Sequence, residues 1–480
     1  MKKNMKSKIH ELINFKIKAV SKNSIKIFLL TIISALSANA QNVHHGAIAS
    51  NGSVYFRAEP VNNFLPDKAG NLYYYVHLQG VQKTLTNVKE RMPLNISVVL
   101  DRSGSMDGDK LKYAKEALKY VVNNLDKNDV ISIVLYDTEV DVFLSPQRLE
   151  DKEGLLKRID KIATAGSTNL EGGIRKGYEL VKSAKKLIGS EMVNRVMLLS
   201  DGQPNVGLSD EAGLCAITKS NFEENHISIS TFGVGNDYNE NLMAKMALQG
   251  GGLYYFIYSP EKLPSIFDEE LKGLSKVIAK NTILKIKFPS EYLTYDRTFN
   301  FSSNLKGDVL EISFNDLFAE EQKSILICFK TKGKLTTPIT IESFIEYSNA
   351  NVDPAVVVTD VRKSEMKQAA DEKEYDSGYN YAASEGYAHG ITQELYDKAV
   401  ENANAEQYAA AKLVVKEARD ILDVHFKKVG ENVYLREFDK QLSEYALLID
   451  NMKDMDRETF RYNVKLSKEC GMKRKIRSKF

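Results

Sequence analysis

Between residues 93 and 275 the chain alternates two hydrophobic rhythms. LNISVVL (94–100), DVISIVLY (129–136), RVMLLS (195–200), ISISTFGV (227–234) and LYYFI (253–257) are near-continuous apolar runs, the pattern of strands buried on both faces. The stretches 109–125, about 152–162, 169–187, 209–225, 239–248 and 261–275 carry apolar residues at helical spacing, and VDVF (140–143) reads as a further short strand. Strands alternating with helices predict a doubly wound, mostly parallel α/β sheet over 93–275.

The pattern differs on both sides. SVYFRAE (53–59) and LYYYVHLQGV (72–81) are rich in the β-branched and aromatic residues that strands favour. TILKIKF, VLEISF, SILICFK, TPITIESFIEY and AVVVTDV, between 280 and 360, are five more strand candidates at the spacing of a β-sandwich. The segment 41–92 is too small to hold a core alone. The expectation is therefore one sandwich, built from 41–92 and 276–362 and interrupted by the α/β domain, rather than two separate β pieces. From 363 to 480 the strand signal gives way to a helical module, with 406–426 its clearest amphipathic helix. Residues 374–390 read as a linker or loop, and the basic end GMKRKIRSKF as a solvated tail.

Charge changes the picture once the N-terminus is set apart. Residues 1–40 hold eight lysines and one glutamate, leaving 58 basic against 63 acidic residues in the rest of the 480-residue chain. That balance does not point to nucleic acid. Lys22 and Lys26, the apolar run at 27–36 and the Ala38-Asn39-Ala40 end are the three parts of a secretory signal peptide, so residues 1–40 are expected to be removed on export to the periplasm, cell surface or medium. No other run is long enough to span a bilayer. Cys215, Cys328 and Cys470 are too few and too scattered for a disulfide framework or a cysteine zinc site. His44 and His45 read as an exposed pair.

Three loops carry the chemistry. The first apolar strand ends in Asp101, followed by Ser103 and Ser105 in a D-x-S-x-S turn. AGSTNLEGG sets Thr168 just before a helix, and LLSDGQPNVG sets Asp201 at the end of another strand. In a doubly wound sheet such strand ends face the ligand crevice. One carboxylate and two hydroxyls on a single turn are hard oxygen donors, suited to Mg²⁺, Mn²⁺ or Ca²⁺. Singly, each loop has an ordinary structural reading as a helix cap or an Asp-Gly turn. Together, in this order and on these elements, the three loops resemble the metal-ion-dependent adhesion site of the von Willebrand factor type A family, a resemblance that covers about 93–275.

That resemblance implies a divalent cation, Mg²⁺ foremost, held by Ser103, Ser105 and Thr168 through hydroxyls and by Asp101 and Asp201 directly or through water. It also implies an open coordination position for a protein partner's Asp or Glu. The expected function is an exported adhesion or assembly module that is neither membrane-spanning nor a nucleic-acid binder; its oligomeric state is left open. A structural envelope component, in which the ion only stabilises the fold, is the alternative. A metal-assisted hydrolase comes last: no His or Lys base accompanies the metal loops in the sequence, and no zinc-protease, phosphate-loop or nucleophile-elbow motif occurs.

Overall fold

The computed structural model describes residues 47–476 apart from 49–51, 67–68, 82–91, 189–191, 202–203, 275–276 and 351–355. The expected signal peptide (1–40) and the His44–His45 pair lie outside the described residues.

The chain opens with strands β1 (Ala47–Ile48), β2 (Val54–Pro60), β3 (Phe64–Leu65) and β4 (Asn71–Gly80). The α/β unit then runs β5 (Leu94–Asp101), α1 (Asp109–Asn124), β6 (Val130–Tyr136), β7 (Val140–Gln147), α2 (Lys152–Asp160) and α3 (Leu170–Ile188). It continues through β8 (Val193–Ser200), α4 (Glu211–Asn225), β9 (Ser228–Val234), α5 (Glu240–Gln249), β10 (Tyr254–Ile257) and α6 (Leu263–Leu274). Seven strands follow: β11 (Val277–Lys287), β12 (Leu293–Thr298), β13 (Asn304–Lys306), β14 (Val309–Phe318), β15 (Gln322–Thr331), β16 (Ile339–Asn349) and β17 (Val356–Gln368). The last elements are α7 (Glu372–Ser377), α8 (Tyr381–Asn404), α9 (Tyr408–Lys428), α10 (Val433–Met452) and α11 (Arg457–Ile476).

The central sheet has the order β10-β9-β8-β5-β6-β7, and only the edge strand β7 runs antiparallel. Every residue of β5, β6, β8, β9 and β10 is buried, which explains why these strands read as unbroken apolar runs. Leu118, Val122, Ile159 and Phe267 of α1, α2 and α6 cover one face. Ile174, Val181, Leu214 and Met243 of α3, α4 and α5 cover the other. Helix α3 lies so close to the sheet that a Cβ on Gly173 would come within 2.7 Å of the Tyr136 ring. This contact seats the start of α3 at the end of β6.

The flanking strands form two further sheets, β1-β2-β4-β15-β12 and β13-β14-β11-β16-β17-β3. Strand β4 pairs antiparallel with β15 from Asn71–Lys330 to Gln79–Gln322, and β3 pairs parallel with β17. Phe56, Tyr74 and Leu78 from before the α/β unit share one core with Leu284, Ile312, Phe329 and Ile345 from after it. Tyr74 adds a polar tie, its hydroxyl lying 3.0 Å from Ser343 Oγ and 3.1 Å from Ser364 Oγ.

The helical region corrects two readings. Residues 374–390, expected as linker or loop, fall in α7 and the start of α8 except for 378–380 between them. They show no amphipathic stripe because α8 is enclosed on most sides there: Ala383, Ser384, Gly386, Ala388 and Gly390 are all buried. Ala383 joins Tyr75, Leu326 and Cys328 in a small cluster between α8 and the β4–β15 pair. The basic end is not a solvated tail as far as Ile476. Lys473 bridges Glu269 and Glu469 at 2.8 Å each, Arg474 Nε donates to Gln393 Oε1 at 2.9 Å, and Lys475 pairs with Asp397. Helix α11 thus returns to the α/β unit. There Glu469 Oε2 accepts the backbone N–H of Phe256, on edge strand β10, at 3.1 Å. No helix among the described residues is long and apolar enough to cross a membrane.

Candidate functional site

Strand order reverses at β5, whose neighbours are β8 on one side and β6 on the other. The carboxyl ends of β5 and β8 therefore flank the crevice where an open α/β sheet takes ligands. Asp101 is the last residue of β5, and Asp201 follows the last residue of β8.

Asp101 is fully buried. Its Oδ1 accepts the Ser103 N–H at 2.9 Å, and its Oδ2 accepts the Ser200 hydroxyl at 2.6 Å and the Tyr136 hydroxyl at 3.2 Å. Burial pushes the Asp101 carboxyl above its ordinary range; the hydrogen bonds from Ser200 and Ser103 oppose this, and the charge of Asp201 adds to it. With both oxygens engaged, Asp101 shapes the turn that follows. That turn, a short 3₁₀ segment at Gly104–Met106, brings Ser103 Oγ within 3.1 Å of Ser105 Oγ. The Ser105 hydroxyl donates to Asp201 Oδ1 at 2.9 Å.

Thr168 arrives through its loop. Gly104 N–H donates to Gly166 O at 3.0 Å, and Ala165 N–H donates to Arg102 O at 2.8 Å, stitching this loop to the first. Thr168, itself buried, donates its N–H to Asn205 Oδ1 at 2.8 Å. Its carbonyl accepts the N–H groups of Asn205 and Val206 at 3.1 and 3.2 Å, tying it to the stretch after Asp201. The structure thus links Asp101, Ser103, Ser105 and Asp201 by direct hydrogen bonds and holds Thr168 on the neighbouring loop.

Several residues of the site were not legible beforehand. Ser200 and Tyr136 fix Asp101 from β8 and β6. Arg102 Nε donates to Asp137 Oδ2 at 2.6 Å. Burial works against ionisation of Asp137, but the Glu139 N–H and the Arg102 guanidinium outweigh it and hold the carboxyl below its ordinary range. Lys110 was likewise not anticipated: its Nζ pairs with Asp201 Oδ2 and donates to Ser105 O at 3.2 Å. Its spacing from Asp101 was the available signal, but a long flexible side chain in the first turn of a helix does not announce where its ammonium lies.

The family model described as von Willebrand factor type A domain matches residues 95–269. Residues 95–269 are a von Willebrand factor type A domain.

Such domains commonly mediate protein interactions. The chain is 23% identical over 246 residues to an uncharacterized protein of Synechocystis, covering 49% of this chain and 57% of that one. It is 30% identical over 215 residues to the uncharacterized protein YfbK of Escherichia coli, covering 44% of this chain and 37% of YfbK. The chain thus spans less than two thirds of the length of either relative. A von Willebrand factor type A protein structure from Catenulispora acidiphila superposes with a TM-score of 0.64 at 14% identity, covering 84% of this chain and 91% of that one. At that identity the likeness concerns the fold alone, and its coverage takes in far more than the von Willebrand factor type A domain.

The donor set can be tested against the cation this family often binds. Among the described residues no group of three or more His, Cys, Asp or Glu side chains gathers as a metal cluster. The place at the strand ends offers hydroxyls and two carboxylates instead. In octahedral coordination with oxygens at about 2.1 Å, adjacent ligands sit roughly 3 Å apart. The Ser103–Ser105 and Ser105–Asp201 oxygen separations of 3.1 and 2.9 Å match that spacing. The residues present fit a small, hard divalent ion.

Proposed function

We propose that this chain is an exported protein-binding module whose von Willebrand factor type A domain holds one divalent cation, Mg²⁺ or Mn²⁺, and uses it to engage a partner's carboxylate. The observation that carries this reading is the run of oxygens Ser103 Oγ, Ser105 Oγ and Asp201 Oδ1 at ligand-like spacing, beside the turn that Asp101 orders. Ser103, Ser105 and Asp201 would hold the ion, Asp101 would act on it directly or through water, and Thr168 would complete the set. Two carboxylates about neutralise a divalent ion, but direct ligation by neutral hydroxyls and water keeps it electrophilic, so an acidic side chain from another protein becomes a favourable further ligand. The signal-like pattern at 22–40 supports export. We read the two flanking sheets as one sandwich that carries the domain.

The test is titration calorimetry of chelator-stripped protein with Mg²⁺ and Mn²⁺. The expected result is one ion per chain, and no binding in Asp101→Ala. Unchanged binding in that variant would move the ion elsewhere, and no binding in the unaltered protein would end the adhesion reading.

A further inference from the structure

We infer that Lys110 is a resident cation of this site: it holds Asp201 when no ion is bound and is displaced towards Asp237 when an ion enters. This rests on the metal reading above and adds a residue outside the set that the sequence suggested.

Four observations support it. Asp201 has no exposed side-chain surface, so its carboxylate needs a compensating charge whether or not an ion is present. Lys110 supplies one, with its ammonium on Asp201 Oδ2 and on Ser105 O. These contacts lie beside the Asp201 Oδ1–Ser105 Oγ edge that an ion would share. Two cations on one carboxylate repel, so an incoming divalent ion weakens the Lys110 contact. The stem of Lys110 also lies in a slot made for it. Gly235, at φ +78° after β9, passes so close that a Cβ there would meet Lys110 Cε at 2.9 Å.

The slot leads to a second carboxylate. Asp237 Oδ2 already lies 3.9 Å from Lys110 Nζ, and Asp237 is more than half exposed. A rotation about the lysine stem carries the ammonium from Asp201 to Asp237 without a backbone change. Asp237 is also paired with Arg461 of α11, so the position that receives Lys110 is shared with the C-terminal helix. Lys110 therefore sets the ion affinity of the site: binding an ion means giving up a buried charge-assisted hydrogen bond in exchange for an exposed one.

Calorimetry with Mg²⁺ on the chelator-stripped chain tests this in four forms: unaltered, Lys110→Met, Asp237→Asn, and the double variant. A hydrogen bond to a charged group contributes on the order of tenfold or more, so Lys110→Met should bind Mg²⁺ at least about tenfold tighter. Asp237→Asn should bind about threefold weaker in the unaltered background, because an exposed pair contributes little. It should change nothing in the Lys110→Met background, since its effect runs through the lysine. Without Mg²⁺, Lys110→Met should melt lower than the unaltered protein, and saturating Mg²⁺ should close the gap. Lys110→Gln gives the same comparison should the methionine variant fold poorly. Equal or weaker binding by Lys110→Met and Lys110→Gln, with the unaltered protein binding normally, would overturn the role of Lys110 and leave the metal reading standing. An equal effect of Asp237→Asn in both backgrounds would overturn Asp237 as the receiving carboxylate. No binding by any form would overturn both readings.

Discussion

Lys465→Met should detach α11 from the von Willebrand factor type A domain, and the structure sets the size of the effect. Lys465 is nearly sealed, its side chain 3% exposed against 11% for Glu240. Its ammonium lies 2.9 Å from Glu240 Oε2, donates to Tyr238 O at 3.2 Å and sits 4.3 Å from the centre of the Tyr238 ring. Burial alone would raise the Glu240 carboxyl, but the Lys465 ammonium outweighs it and holds Glu240 ionised. Replacing Lys465 by a residue of similar length keeps the packing and leaves a buried carboxylate without its cation. Breaking such a pair typically costs about 3–5 kcal/mol. The low end applies, because Glu240 keeps the Asn404 amide at 2.8 Å and lies in the first turn of α5, where the helix dipole favours a negative charge. We expect a loss of about 3 kcal/mol for Lys465→Met and about 2 kcal/mol for Glu240→Gln. The double variant should lose no more than about 2 kcal/mol, since no unpaired charge remains. Urea unfolding followed by circular dichroism supplies the free energies. Amide exchange over 457–476 reports locally whether α11 has been released. A coupling energy below about 0.5 kcal/mol between the two positions would refute the reasoning, because the pair would then not be acting as a buried unit.

Three further outcomes follow from the same contacts. Thr168→Ala should weaken Mg²⁺ binding while moving the melting temperature by no more than a degree or two, on the order of 0.5 kcal/mol, since its loop is held by backbone bonds to Gly104, Asn205 and Val206; a large drop in melting temperature with unchanged binding would favour the structural-ion alternative. Tyr74→Phe should cost about 1–2 kcal/mol in urea unfolding, because it strips the shared partner from the buried hydroxyls of Ser343 and Ser364; no loss would show that this tie between flanks contributes nothing. Burial, helped by the Arg474 charge, depresses His389 from 6.5 to about 3. The folded ring stays neutral while the unfolded ring protonates below 6.5, so stability is full above that pH and is lost as pH falls towards about 3. Urea midpoints should show a loss of up to about 2 kcal/mol between pH 7.5 and pH 5, and His389→Gln should flatten the slope.

Much of the α/β domain could be read from the chain because its signals are local. Unbroken apolar runs such as 94–100 and 195–200 mark strands covered on both faces, and period and length separate them from the helices between. The candidate site was legible for a similar reason. Asp101, Ser103 and Ser105 occupy one turn, and Asp201 and Thr168 adjoin ends of elements, so placing the elements places the loops.

What escaped the sequence depends on contacts between distant residues. That β4 pairs with β15 follows from topology, because several strands of similar pattern compete for the same partner. Residues 374–390 lack an amphipathic stripe, and only the sheet and helices packed around α8 show that small residues there make a buried helix. The basic end of the chain resembles any solvated run of lysines until Glu269, Gln393 and Asp397 are found waiting for it. Lys110 is the sharpest case. Its place in the first turn of α1 is local information, but the position of its ammonium on Asp201 is not. A four-carbon stem can reach many acceptors, and the choice among them is made by a buried carboxylate some ninety residues away.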